Sequence, residues 1–229
     1  MTWHNLPAEI PIYYEDGSVV LIHADCRDIL PLLPKVNLVL TDPPYGMNNN
    51  PDSSRFGGGT QQSVDRRGGK GGKFKVPIIG DDTPFDPSPF IDFDNVIMWG
   101  YNHYASRLPV GTTLVWIKRL DGAFGSFLSD AELAWMKGGC GVYCQRDTSF
   151  LGTSRKRAHP NEKPVALMKW CIGLVKDANL ILDPFAGVCT TGVAAKQLGR
   201  RCILIEMEER YAEIGAKRLS QEELFYILE

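Results

Sequence analysis

The stretch Val36-Asn37-Leu38-Val39-Leu40-Thr41 is nearly all apolar and runs directly into Asp42-Pro43-Pro44-Tyr45. Apolar runs that end in a polar or small residue recur at 19–25, 96–100, 113–118, 180–183 and 202–206. Strands that are apolar on both faces are typical of a parallel sheet covered by helices on both sides. Helices are predicted after Lys163-Pro164 and over 190–198 and 208–219. This alternation predicts an α/β fold with a doubly wound, mostly parallel sheet.

The size and charge of the chain suit one globular domain over residues 1–229. The net charge of −2 excludes a uniformly basic surface but allows a local basic patch. No apolar run approaches the roughly 18 residues that span a bilayer, and the N-terminus lacks a signal-peptide pattern. The six cysteines contain no C-x-x-C pair, so we expect reduced thiols in a cytoplasmic protein. Cys140 and Cys144 are spaced like half a metal site, but no second ligand pair is evident.

Residues 46–80 interrupt the pattern and hold nine of the 23 glycines. Six basic residues stand there against Asp52 and Asp65, which gives +6 − 2 = +4. Few apolar residues are present, so this segment is predicted to be a long mobile loop inserted in the domain.

The tetrapeptide Asp42-Pro43-Pro44-Tyr45 lies where ligands bind in open α/β sheets, just beyond the carboxyl end of a strand. Its two prolines favour a rigid turn that presents a carboxylate, the Pro43 carbonyl and an aromatic ring. The two oxygens can accept both hydrogens of an exocyclic amine, and the ring can stack on a planar base. The alternative is a proline-rich turn around a buried tyrosine.

A second turn, Asp183-Pro184-Phe185-Ala186-Gly187, joins a strand to the helix that begins near Thr190. Small residues at a helix N-terminus let a ligand approach the backbone. Glu206 ends the next strand, 206 − 187 = 19 residues after Gly187, which is the spacing of an acid that holds ribose hydroxyls. A plain turn and an ordinary surface glutamate are the structural alternatives.

Together these motifs resemble the amino-group DNA methyltransferases that use S-adenosylmethionine. Their order, with the catalytic tetrapeptide first and the cofactor turn last, resembles the β group of that family. His159-Pro160-Asn161-Glu162-Lys163-Pro164 is similar to the H-P-x-x-K-P element of the family, and His23-Ala24-Asp25-Cys26 to its adenine-contacting element. The segments Trp99 to Tyr104 and Ala131 to Trp135 are similar to small, phage-type members, which suggests a bacterial or phage origin.

The resemblance implies a Rossmann-like methyltransferase fold, S-adenosylmethionine as cofactor, no metal, and double-stranded DNA as substrate. It implies methyl transfer to the N6 amine of a flipped-out adenine, with Asp42, Pro43, Pro44 and Tyr45 as the catalytic residues. The implied cofactor-binding residues are Asp25, Cys26, Asp42, His159, Lys163, Asp183, Phe185, Ala186, Gly187, Val188, Cys189, Thr190, Thr191, Glu206 and Met207. Lys163 is expected to meet the cofactor carboxylate, while Asp25 and His159 have alternative interpretations as a strand-end turn residue and a helix cap. A homodimer is implied by the resemblance alone.

The basic residues beside these motifs are expected to contact DNA phosphates and guanine edges. They are Arg55, Arg66, Arg67, Lys70, Lys73 and Lys75 in the insertion, and Arg155, Lys156 and Arg157 before His159. Solvated charge clusters are the alternative in both places. Residues 119–158 are a candidate target-recognition segment.

One residue departs from the family pattern, because Cys189 stands where the cofactor turn usually has its second glycine. Its side chain is expected to crowd the methionine part of the cofactor, which keeps open a catalytically inactive DNA-binding homologue. An N4-cytosine enzyme is a further alternative, although its tetrapeptide more often begins with serine. Methylation of RNA or of a protein glutamine is disfavoured, since those families commonly begin it with asparagine.

Overall fold

The computed structural model describes residues 6–46, 79–125, 129–149 and 162–226. The strands are Ile12–Glu15 (β1), Val19–His23 (β2), Leu38–Thr41 (β3), Val96–Trp99 (β4), Gly111–Ile117 (β5), Ala131–Arg146 (β6), Leu180–Asp183 (β7) and Arg201–Glu206 (β8). The α-helices are Cys26–Ile29 (α1), Ser88–Ile91 (α2), Val165–Gly173 (α3), Thr190–Gln197 (α4) and Glu209–Tyr226 (α5). Short 3₁₀ turns occupy Leu30–Leu32, Tyr101–His103, Ala105–Arg107 and Asp121–Ala123.

The described strands form one sheet in the order β1-β2-β8-β7-β3-β4-β6-β5. Strands β2, β8, β7, β3 and β4 run parallel to one another. Strand β1 is antiparallel at one edge, and β6 is antiparallel to β4. The predicted α/β fold with a mostly parallel sheet is therefore confirmed. Each apolar run named above forms a strand, and the three predicted helices are α3, α4 and α5.

Strand β6 reverses direction around the beginning of β5. In its first arm, residues 131–137, Ala131 is level with Ile117 of β5, and in its second arm, residues 142–146, Arg146 is level with the same residue. The reversal uses Gly138 and Gly139, whose φ values of +83° and +64° favour glycine. The first arm thus belongs to the central sheet, and the recognition role of residues 119–158 stays a prediction.

Two apolar cores lie on the two faces of the sheet, because alternate residues of each strand point to opposite sides. Leu38 and Leu40 join the core that includes residues of α3, α4 and α5. Val39, between them, joins the core that includes residues of α1 and α2. This two-sided covering explains why the strands read as continuous apolar runs.

No helix within the described ranges is long and apolar enough to cross a bilayer. The same residues contain no group of three or more His, Cys, Asp or Glu side chains placed to hold a metal ion. Cys140 and Cys144 are exposed, whereas Cys26, Cys171, Cys189 and Cys202 are buried, and all six are free thiols.

Candidate active site

Four acidic residues lie together at the carboxyl edge of the sheet. Asp25 follows β2, Glu206 ends β8, Asp183 ends β7 and Asp42 follows β3. These strands are consecutive neighbours in the order β2-β8-β7-β3, so their ends meet along one edge. The topology therefore brings the predicted catalytic and cofactor turns side by side.

A cavity of about 510 Å³ runs along this edge and joins the turn at 42–44 to the turn at 183–188. This volume lies in the range of sites for small molecules and cofactors. Its lining includes these predicted site residues: Asp25, Cys26, Asp42, Pro43, Pro44, Lys163, Asp183, Phe185, Ala186, Gly187, Val188, Thr190, Thr191, Glu206 and Met207. Ile79 and Gly80, at the end of the predicted insertion, line it as well. The remaining lining is largely apolar and includes Phe85, Phe90 and Tyr211.

Some predicted residues are not in this lining. Tyr45 is one of them, and its ring stacks on that of His103. The six basic residues of the insertion, together with Arg155, Lys156, Arg157 and His159, lie outside the described residues. Their roles stay predictions.

Cys189 does not crowd the cavity, contrary to the expectation above. The residue is fully buried and adopts a left-handed φ of 62° at the N-cap of α4. Its Sγ lies only 2.3 Å from where a Cβ on Gly215 of α5 would stand. The thiol thus packs under α5 and is absent from the described cavity lining. The left-handed backbone, which glycine usually supplies, turns this side chain away from the ligand side.

Asp183 fastens the two turns to each other. Its Oδ1 accepts a hydrogen bond of 2.6 Å from Thr41 at the end of β3, and its Oδ2 accepts one of 2.6 Å from Thr191 in α4. Burial raises the pKa of Asp183 to about 6, against the opposing effect of these donors. Asp183 therefore has a clear structural role between the catalytic and cofactor turns.

Glu206 is bound to the cofactor turn and is not an ordinary surface glutamate. Its Oε2 accepts a 2.7 Å hydrogen bond from the Gly187 amide, and its Oε1 accepts a 2.8 Å bond from the Glu208 amide. Burial raises the pKa of Glu206 to about 7, although these two amides favour the ionised form. A carboxylate has further lone pairs, so Glu206 can still accept hydroxyl donors from a ligand in the cavity.

Asp25 caps a helix and also lines the cavity, while its role toward a cofactor stays a prediction. It caps α1 by accepting a 2.9 Å hydrogen bond from the Arg27 amide, and it also pairs with the Arg27 guanidinium. At the same time it lines the cavity beside Cys26. The alternative of a strand-end turn residue is thus compatible with a ligand-facing position.

Asp42 sits at the centre of a buried polar cluster. Its Oδ1 accepts a hydrogen bond from the Tyr45 hydroxyl, and its Oδ2 pairs with the Lys163 ammonium. Burial raises the pKa of Asp42, while the positive charge of Lys163 opposes that rise. Lys163 lines the cavity as predicted, but its ammonium is directed at Asp42 and at Glu132, whose Oε2 is 3.2 Å away.

Sequence reasoning assigned no role to several residues that shape the site. Glu132 and Lys118 extend the polar cluster beyond Lys163, with a Lys118 Nζ to Glu132 Oε1 distance of 2.7 Å. Arg218 of α5 donates to the Val188 carbonyl at 2.7 Å and to Thr190 Oγ1 at 3.2 Å, which braces the cofactor turn. These contacts join distant parts of the chain, so little in the sequence pointed to them. The one signal for Glu132 was that the segment 131–135 is similar to phage-type enzymes.

Comparison with known proteins agrees with this geometry. A family model described as DNA methylase, covering N6 and N4 methyltransferases, matches residues 115–217. The chain is 26% identical over 253 residues to the Type II methyltransferase M2.LlaDCHI of Lactococcus lactis subsp. cremoris, covering 91% of this chain and 92% of that protein. A shorter match, 44% identical over 62 residues, links it to the DNA adenine methyltransferase YhdJ of Escherichia coli strain K12, covering 27% of this chain and 21% of that protein.

Among solved structures, the complex of M1.HpyAVI with SAM superposes with a TM-score of 0.56 at 22% identity, covering 88% of this chain and 100% of that chain. That similarity supports the fold. The family match includes the Gly187 turn, and the relative from Lactococcus lactis is similar over 91% of the chain. The chain is thus similar to the amino-group DNA methyltransferases, over residues 115–217 in the family model and over most of its length in one relative.

Proposed function

We propose that this protein transfers a methyl group from S-adenosylmethionine to the N6 amine of adenine in DNA. The observation that carries the proposal is the single cavity that joins the acceptor turn at Asp42 to the ligand turn at Gly187. Adenine is favoured over cytosine because the tetrapeptide begins with aspartate and because a relative is named as an adenine methyltransferase.

The residues at the Gly187 turn fit S-adenosylmethionine. Gly187 has a φ of +51°, and a Cβ placed there would meet no atom within 4 Å, so the turn offers open space to a ligand. Glu206 supplies a carboxylate for ribose hydroxyls, and Asp25 and Cys26 border the end of the cavity proposed for the adenine. Apolar side chains in the cavity wall, such as Phe185 and Tyr211, suit the remainder of the cofactor. When bound, the cofactor supplies an electrophilic methyl group on a positively charged sulfur.

The chain's own residues orient the target nitrogen. The lone pair of an exocyclic amine is delocalised into the base, which makes the nitrogen a poor nucleophile. Asp42 and the Pro43 carbonyl each accept a hydrogen bond from one of its two N–H groups. This arrangement directs the lone pair of the nitrogen toward the methyl group, in line with the bond that breaks. As the N–C bond forms, the C–S bond breaks. The nitrogen then carries a positive charge and loses one proton after transfer, so Asp42 is not required to remove it beforehand.

We propose double-stranded DNA as the partner, with the target base rotated out of the helix. Base flipping costs a few kcal/mol, and stacking on an aromatic ring such as Tyr45 returns about 1–3 kcal/mol. The basic residues of the insertion and of 155–157 are proposed to supply phosphate contacts. DNA affinity should therefore fall steeply between low and moderate salt, and an affinity that does not change would contradict this assignment. We also propose that the protein forms a homodimer and is located in the cytoplasm.

One experiment tests the reaction. The protein is incubated with methyl-labelled S-adenosylmethionine and mixed-sequence DNA, and the DNA is digested and its nucleosides separated. Label in N6-methyldeoxyadenosine that disappears with Asp42→Ala supports the proposal. Label in N4-methyldeoxycytidine identifies the alternative base, and DNA binding without any label identifies an inactive homologue. The position of Cys189, packed against Gly215 and not in the described cavity lining, supports the active alternative.

A further inference from the structure

We propose that Glu132, braced by Lys118, is a positioning residue for Asp42. It holds the Lys163 ammonium on Oδ2 of Asp42 and leaves Oδ1 for the target amine. This inference rests on the proposed function, because it concerns how Asp42 accepts the N–H of the base.

The geometry is that of a carboxylate bridging two ammonium groups. Oε1 of Glu132 lies 2.7 Å from the Lys118 Nζ, and Oε2 lies 3.2 Å from the Lys163 Nζ. Glu132 belongs to the first arm of β6 and is level with Trp116 of β5. Lys118 follows β5, and its amide donates to the Asp130 carbonyl at 3.1 Å. The sheet therefore fixes both residues, whereas Lys163 precedes α3 and reaches in from outside the sheet.

The charges alternate along the cluster in the order Asp42, Lys163, Glu132, Lys118, with no net charge. The Lys163 side chain is only 6% exposed, so an ammonium without partners would carry a large desolvation penalty there. Burial opposes ionisation of Glu132, but the positive charges of Lys163 and Lys118 outweigh it and lower the pKa of Glu132 to about 2. Burial likewise opposes the charge of Lys163, and the two carboxylates outweigh it and raise its pKa. The charged forms of Glu132 and Lys163 are thus favoured by their neighbours in the cluster.

The two oxygens of Asp42 have different partners in this arrangement. Oδ2 is bound to Lys163, which Glu132 holds from the opposite side. Oδ1 accepts from the hydroxyl of Tyr45, a residue of the same turn. The hydroxyl is the easier partner to replace, because its displacement leaves no charge behind, whereas displacement of Lys163 would deprive a buried ammonium of a counter-charge. We therefore place the incoming amine at Oδ1. Neither Glu132 nor Lys118 lines the described cavity, so both act through Lys163.

The test uses Glu132→Gln, which keeps the shape of the side chain and removes its charge. Steady-state methylation is measured with DNA and with S-adenosylmethionine as the varied substrate. We expect kcat to fall about 10- to 100-fold, the rate equivalent of one hydrogen bond to a charged group. Both KM values should stay within about threefold, because Glu132 contacts neither substrate. Lys118→Gln, one step further away, should lower kcat by a smaller factor.

A matched control is a second buried ion pair, Asp16 and Lys196, which are 2.7 Å apart with side chains 7% and 6% exposed. Asp16→Asn should lower Tm without a matching loss of kcat. The two variants are compared at the same loss of Tm. If Glu132→Gln then loses no more kcat than Asp16→Asn does, Glu132 is merely structural and the inference is wrong. If Glu132→Gln does not fold, a wild-type kcat for Lys118→Gln overturns the inference. An inactive wild type overturns the proposed function, whereas an active wild type with an equally active Glu132→Gln overturns this inference alone.

Discussion

The ring of Tyr45 lies flat on the ring of His103, with centroids 4.9 Å apart and planes inclined by 14°. Its hydroxyl is bound at the same time to Asp42. The ring face and the hydroxyl of Tyr45 are therefore both held in place before any base enters. His103 belongs to the exposed 3₁₀ turn Tyr101–His103, so the covered face can be uncovered by a small local movement.

Tyr45→Ala should weaken binding to DNA that carries a mismatched target adenine. Loss of stacking is worth about 1–3 kcal/mol, or roughly a 5- to 150-fold rise in Kd. Tyr45→Phe keeps the ring and loses only the hydroxyl, so its Kd should stay near that of the wild type. Fluorescence of 2-aminopurine at the target position reports both the affinity and the flipping. Tyr13→Ala, at the far edge of the sheet, is the control, and equal losses for Tyr13→Ala and Tyr45→Ala would contradict the stacking role.

Gly100→Ala should be more damaging than Gly125→Ala, although both glycines have a φ of +73°. A Cβ at Gly125 meets nothing within 4 Å, so only the left-handed strain of roughly 1–2 kcal/mol applies. A Cβ at Gly100 would lie 2.0 Å from Cε1 of Tyr45, which adds an overpacking penalty of about 1–3 kcal/mol. Chemical denaturation and methylation assays of both variants measure the difference. Equal stability and equal activity would mean that Tyr45 does not depend on this contact.

Cys189 and Gly215 should be strongly coupled in stability. Gly→Ala inside a helix normally stabilises by roughly 0.5–1 kcal/mol, yet a Cβ at Gly215 would lie 2.3 Å from the Cys189 Sγ. Gly215→Ala should therefore destabilise the wild type and stabilise the Cys189→Gly variant. A double-mutant cycle from thermal unfolding measures this change of sign. Cofactor affinity should be unchanged in Cys189→Gly, and a large gain in affinity would restore the view that the thiol crowds the ligand.

Cofactor binding should depend on pH through Glu206. Its carboxyl must be ionised to accept ribose hydroxyls, and burial raises its pKa to about 7. Affinity for S-adenosylmethionine should therefore rise from about pH 6 to about pH 8, by up to tenfold per unit below the pKa. Calorimetric titration across this range checks the slope. Glu206→Gln should bind more weakly and nearly independently of pH, and an unchanged slope in that variant would assign the titration to another group.

The same pKa has a consequence for stability. Between the ordinary value of 4.5 and about 7, the folded protein holds a proton on Glu206 that the unfolded chain has released. This residue's contribution to the free energy of unfolding therefore decreases as pH rises through that window. In Glu206→Gln this component of the pH dependence should be absent, which denaturant titrations at several pH values measure.

The central strands and the edge of the sheet that holds the candidate site could be predicted because short, local sequence patterns encode them. Leu38 to Thr41 and Leu180 to Asp183 are apolar on both faces, and each is followed by a turn with its own chemical signature. Strand β1 was missed because its four residues, Ile-Tyr-Tyr-Glu, are mostly exposed and give no apolar run. Strand β6 was missed altogether: its first arm was noted only for a resemblance, and Gly138, Gly139 and Gly141 interrupt the pattern of the rest and encode the reversal around β5.

The contacts of the site were harder to foresee because they depend on tertiary distance and on backbone angles. Lys163 is bound to Asp42 across 121 positions of the chain, and no spacing in the sequence encodes that pairing. For Cys189 the residue type suggested crowding, while the left-handed φ of 62° decides that the thiol points elsewhere. Local patterns thus located the site, and the long-range packing determined which partners each charge has.

The two threonine bonds of Asp183 have a consequence for how the enzyme could change. One buried carboxylate links the strand before the Asp42 turn to the helix after the Gly187 turn. In the proposed reaction these two bonds set the distance between the methyl acceptor and the methyl donor. Recognition segments can consequently be exchanged or remodelled while the reaction distance is preserved.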